Sequence, residues 1–112
     1  MNKLPADFKK KWTEALLSGD YEQSSEVLKG SSGYCCLGVA CDIYKDASWM
    51  YGKADNWYTQ NEAFDYPKRG DLPNDVYDVL QQGDHSIMRR LAIMNDAGMS
   101  FVEIAQWIEE NL

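Results

Sequence analysis

The 112-residue sequence predicts a mainly helical α+β domain, with about four to five short helices around a central Cys-rich helix and a small β-hairpin or ribbon. Three observations carry this. Apolar residues recur at helical spacing in separate stretches, each bounded by Gly, Pro or a capping pattern. The block Gly33-Tyr34-Cys35-Cys36-Leu37-Gly38-Val39-Ala40-Cys41-Asp42 is apolar over most of a helix circumference. Residues 47 to 72 lose the helical period and are crowded with Trp and Tyr, which suits strands. A chain of this length makes a single domain over 1–112, with enough buried surface to need no disulfide or metal staple.

The first helix starts near Pro5, carries Phe8, Trp12, Ala15 and Leu16 on one face, and ends at Gly19. Turn residues Lys29 to Gly33 separate Glu26-Val27-Leu28 from Tyr34-Cys35, so a small hairpin is expected with strands on those flanks. In the central helix Cys36, Val39, Ala40 and Ile43 form one stripe, with Leu37, Cys41 and Tyr44 beside it. Gly38 in its middle costs about 1 kcal/mol of helix propensity, which points to a close backbone approach. Strands are expected at Trp49–Tyr51 and Trp57–Thr59. A short helix follows Leu72-Pro73, with Val76, Val79 and Leu80 facing in and Gly83-Asp84 ending it. The next carries Ile87, Met88, Leu91, Ala92 and Met94 and stops at Gly98. The last opens on a Ser100–Glu103 capping box, with Met99 placed to staple onto Ile104, and buries Phe101, Ile104, Ala105 and Ile108.

Net charge is −7, which repels phosphate backbones and argues against nucleic-acid binding. It suits a soluble surface or a basic protein partner. No apolar run approaches the ~20 residues of a membrane span, so no membrane partner is expected. The start of the chain lacks the apolar core of a signal peptide, so a cytoplasmic location with reduced thiols is expected.

Each candidate chemistry meets a plainer reading. Cys35, Cys36 and Cys41 with the lone His85 match no zinc spacing, and buried helix cysteines explain them better. A Cys35 or Cys36 nucleophile would need His85 as base, with Asp84 to orient it. The Lys29–Gly33 turn leads into a helix N-terminus and resembles an anion cradle, though a hairpin turn accounts for the same residues. Asp71, Asp75 and Asp78 fall at spacings that would let them share a helix face and hold a metal, or simply favour the helix dipole. Ala97 to Ala105 has the look of the first helix of a helix-turn-helix, but no reading helix follows within the sequence and the last turn is acidic. No catalytic residue, metal ligand or cofactor site emerges.

The aromatic ribbon is the leading binding surface, because Trp and Tyr dominate hot spots and stacking sites. Its candidate residues are Trp49, Tyr51, Lys53, Trp57, Tyr58 and Arg69. The competing reading is that these rings cover an undersized core, or join copies of the chain into a homo-oligomer.

Several residues also carry a resemblance. Lys11-Trp12, Ala15-Leu16, Gly19, Tyr21, Gln23, the Cys-Cys-Leu-Gly-Val-Ala-Cys-Asp run, Leu72-Pro73, Leu91, Met94-Asn95-Asp96, Gly98 and Ser100 to Glu109 together resemble small, mostly uncharacterised proteins of tailed phages and prophages. The stretch 47 to 71 lies outside that resemblance. What it implies is an accessory role in infection, with no activity and no site residues attached. With the acidic charge, the aromatic patch and the lack of a catalytic set, this leads to an expected non-catalytic protein that binds and blocks a host protein, a defence component foremost. The alternatives are a protein that sequesters a nucleotide-like signal, and a thiol or metal enzyme.

Overall fold

A computed structural model describes residues 3–45, 49–52, 55–82 and 86–112. Among the described residues are five helices: α1 (Ala6–Leu17), α2 (Cys36–Lys45), α3 (Asn74–Leu80), α4 (Ile87–Asp96) and α5 (Phe101–Asn111). Four short strands, β1 (Lys29–Gly30), β2 (Gly33–Tyr34), β3 (Trp49–Tyr51) and β4 (Asn56–Thr59), form one antiparallel sheet in the order β2-β1-β4-β3. The fold is α+β and mainly helical, as the sequence predicts. No helix among the described residues is long and apolar enough to cross a membrane.

The cysteine block is the centre of the core. Cys36, Leu37, Val39, Ala40 and Cys41 are fully buried, with α1 and α4 packed around α2. A Cβ on Gly38 would collide with the Leu28 carbonyl oxygen, so only glycine lets the β1 approach run against α2. The buried Trp12 indole donates to the Cys36 carbonyl at 3.0 Å, which ties α1 to the first turn of α2. Cys35 caps α2, its sulfur accepting the Gly38 N–H at 3.4 Å. The Asn95 side chain caps it again by accepting the Cys36 N–H at 3.1 Å.

Asn95 is the hub of a polar cluster. Its amide also accepts from Gln23 Nε2 at 3.1 Å and donates to the Ser24 carbonyl at 2.7 Å. Gln23 in turn donates to the Met99 carbonyl and accepts the Phe101 N–H at the start of α5. The expected capping box at Ser100 and Glu103 is present. At the other end of α5, Lys3 and Lys9 donate to the Asn111 and Glu109 carbonyls, where cations offset the helix dipole.

The first hairpin differs from expectation. Its strands are Lys29–Gly30 and Gly33–Tyr34, not the apolar flanks 26–28 and 34–35. Leu28 is drawn into the core, its N–H bonded to the Phe64 carbonyl and its carbonyl to the Cys35 N–H. Lys29 is thereby the first residue free to enter the sheet. Gly33, at φ 140°, passes so close to Glu22 that any side chain would strike its carbonyl. Pro5 and Pro73 sit one position before the first helical turn rather than within it.

Candidate functional site

The sheet register places four side chains in one cross-strand row. Tyr34 pairs with Lys29, Lys29 with Trp57, and Trp57 with Tyr51. Paired residues project from the same face, so the order across the sheet is Tyr34, Lys29, Trp57, Tyr51. Trp49, two residues before Tyr51, lies on that face as well. The Lys29 ammonium stands 4.4 Å from the Trp57 ring centroid, 5.4 Å from Tyr34 and 5.7 Å from Trp49. Each is within cation–π reach. Tyr51 packs edge-on to Trp57 at 5.1 Å and is 58% exposed.

Beside this row runs a groove of about 470 Å³, bordered by Asp20, Glu22, Tyr34, Tyr51, Asp55 and Trp57 and floored by Lys29 and the Gly30-to-Gly33 turn. Asp55, at φ 61°, accepts the Tyr51 hydroxyl at 2.5 Å, and this hydrogen bond raises the Tyr51 pKa. Neither Asp20, Glu22 nor Asp55 joins an ion pair among the described residues. Among the described residues, the groove thus offers ring faces and carboxylates with the Lys29 ammonium beside them. Its chemistry favours a cation over an anion.

The predicted site residues separate into groups. Tyr51 and Trp57 meet in the groove. Trp49 is half-buried, and its indole donates to Asp42 Oδ1 at 2.8 Å. Tyr21 donates to the other oxygen of Asp42 at 2.6 Å, and burial followed by that carboxylate pushes its pKa far up. Trp49 therefore anchors the ribbon to α2. Tyr58 points to the opposite sheet face, opposite Met50 and against Gly52. Arg69 is in a different place, bonded to Asp78 at 2.8 Å and stacked on Tyr77 at 4.7 Å. Lys53, Asp84 and His85 lie outside the described residues. Sequence reading passed over Asp20, Glu22, Tyr34 and Asp55. Strand pairing sets Tyr34 in the row, and the 20–22 connection and the turn at Asp55 border it, although the period-two spacing of Trp49 and Tyr51 already marks one face.

The other candidate chemistries disperse. Cys35 and Cys36 are buried, and burial raises both thiols, Cys35 to about 11 and Cys36 well above the ordinary value. Asp71 is fully buried and holds the Asn61 amide and the Lys68 N–H, Asp75 bonds the Val76 N–H, and Asp78 pairs with Arg69. No group of three or more His, Cys, Asp or Glu among the described residues is placed to hold a metal ion.

Residues 4–112 match a family described as a domain of unknown function, DUF8296. The chain belongs to this family. The DUF8296 match runs through the cysteine helix and equally through the 47–71 stretch and its groove. No curated protein and no solved structure matches the chain.

Proposed function

We infer that this DUF8296 chain is a non-catalytic accessory protein of phage or prophage origin that binds and blocks a host protein in the cytoplasm, with counter-defence as its purpose. The observation that carries the reading is the sheet face. Exposed Tyr51, half-buried Trp57 and their open groove form an aromatic surface beside a core that uses its cysteines for packing. The phage character is supported by the resemblance carried on the cysteine block. Against a nucleotide-sequestering role stand the three groove carboxylates and a lysine already committed to three rings.

Expression in bacteria carrying defined defence systems tests this. Phage plating should recover with the wild-type chain and not with Tyr51→Ala, whose exposed side chain can be removed without disturbing the core. Co-purification should retain a defence component on the wild type and lose it on the variant. Equal rescue by both chains, or no rescue in any host, would overturn the reading.

A further inference from the structure

We propose that the groove beside the Tyr34–Lys29–Trp57–Tyr51 row receives a basic peptide segment of the partner, one arginine or lysine side chain lying against Tyr51 and Trp57 with its charge met by Glu22 and Asp55. This rests on the sheet face being the binding surface and adds the chemistry of what it binds. The molecule already seats a cation on these rings. Lys29 holds its ammonium 4.4 Å from the Trp57 ring centroid and within 6 Å of those of Tyr34 and Trp49, so the rings on this side of the sheet already accept a cation. Tyr51 extends the aromatic wall past Lys29, edge-on to Trp57 and largely in solvent. Among the described residues three carboxylates rim the same space with no ion pair, and Lys29 is the lysine that lines it. A guanidinium is planar, stacks on aromatic faces and takes carboxylates in a fork, so it fits this combination best. A groove of about 470 Å³ holds a side chain and a little flanking backbone.

Lys29 gives the proposal a signed test. The resident ammonium repels an incoming cation and attracts an incoming anion. The experiment titrates the isotope-labelled full chain with a short acetylated Gly/Ser peptide carrying arginines, with its glutamine counterpart, and with ATP, and follows the indole and backbone resonances. The arginine peptide should move the Trp57 indole signal and leave those of the buried Trp12 and of Trp107 in place. Its affinity should rise several-fold in Lys29→Met and fall about tenfold in the Glu22→Gln, Asp55→Asn double variant, and it should weaken with added salt. Both carboxylates are on exposed residues, so the double variant keeps the test available if Lys29→Met fails to fold. Equal binding of the arginine and glutamine peptides overturns the proposal. So do weaker arginine-peptide binding in Lys29→Met, signal changes confined to α4, or ATP binding at Trp57 that Lys29→Met abolishes. If Tyr51→Ala abolishes rescue of plating but the arginine peptide does not bind, the surface stands and the basic partner falls. If the peptide binds as described and no host shows rescue, the accessory role falls and the cation site stands.

Discussion

Asp42, the last residue of the cysteine block, receives the Tyr21 hydroxyl on one oxygen and the Trp49 indole on the other. One carboxylate thus fastens both the 20–22 border of the groove and the first strand of the ribbon to α2. Hydrogen bonds to a charged group contribute about 1.5–3 kcal/mol each. Asp42→Ala should therefore destabilise the fold by about 2–4 kcal/mol in urea titration. It should also lower the Tyr21 hydroxyl pKa, since hydrogen bonding and charge from Asp42 both hold it up. Gly38→Ala sets two effects against each other. Alanine gains about 1 kcal/mol of helix propensity, but its methyl group meets the Leu28 carbonyl, and overpacking against backbone costs about 1–3 kcal/mol or more. Net destabilisation is expected, with a lower urea midpoint as the readout. The thiols give a pH signature. Cys35 and Cys36 stay protonated in the fold while unfolded thiols ionise near the ordinary value of 9.0. The unfolded state then binds fewer protons, so the stabilisation is complete below pH 9 and declines as pH rises through about 11 for Cys35. Stability should fall above pH 9 with a slope approaching about 1.4 kcal/mol per pH unit for each such thiol, and Cys35→Ser should make the fall shallower between about pH 9 and 11.

At the scale of elements, helices declare themselves through periodicity, and every helix face expected from the sequence is buried at its centre: Trp12 and Leu16 in α1, Val76 and Leu80 in α3, Leu91 in α4, Ile104 and Ile108 in α5. The strands β3 and β4 are legible because Trp and Tyr crowd a stretch that has lost the helical period. The strands of the first hairpin lie nearer its turn than the apolar flanks suggest, because the pull of the core on Leu28 is a tertiary effect with no local pattern. The Asn95–Gln23 cluster was illegible for the same reason. Its partners lie 72 residues apart, and neither shows a period or a motif alone. The groove's carboxylates come from two separate segments, the 20–22 connection and the turn before β4, so composition reveals a charged protein but not a charged site. The cluster carries a prediction about how elements are joined. Asn95 is 3% exposed and serves α2, α4 and the 23–24 connection at once. Asn95→Leu leaves the Cys36 N–H and the Ser24 carbonyl unpaired in the interior and should cost about 2–4 kcal/mol. Gln23→Ala, at an exposed residue, should cost nearer 1 kcal/mol, and chemical denaturation of the pair separates the two.

Across the whole molecule, stability and recognition are set side by side. The helical body concentrates its buried residues around α2, while the sheet is short, half-exposed and attached through Asp42, Leu28 and the Thr59–Ala63 turn. Local opening free energies range from near zero at exposed edges to the global value in the core. β3 lies at the edge of the sheet, with Met50 46% and Tyr51 58% exposed, and among the described residues it pairs with β4 alone. Val39 and Ala40 of α2 are fully enclosed. In native-state hydrogen exchange, β3 amides should open at least ~100-fold more readily than those of Val39 and Ala40, which should exchange only through global unfolding. Asp42→Ala should raise exchange in β3 more than in α4, because it cuts the link from ribbon to body. Uniform protection across β3 and α2 would mean that the sheet and the helical body unfold as one unit. The predicted gradient instead places a surface able to adjust to a partner directly on a core that is not, with the cysteine helix as the fixed side of that junction.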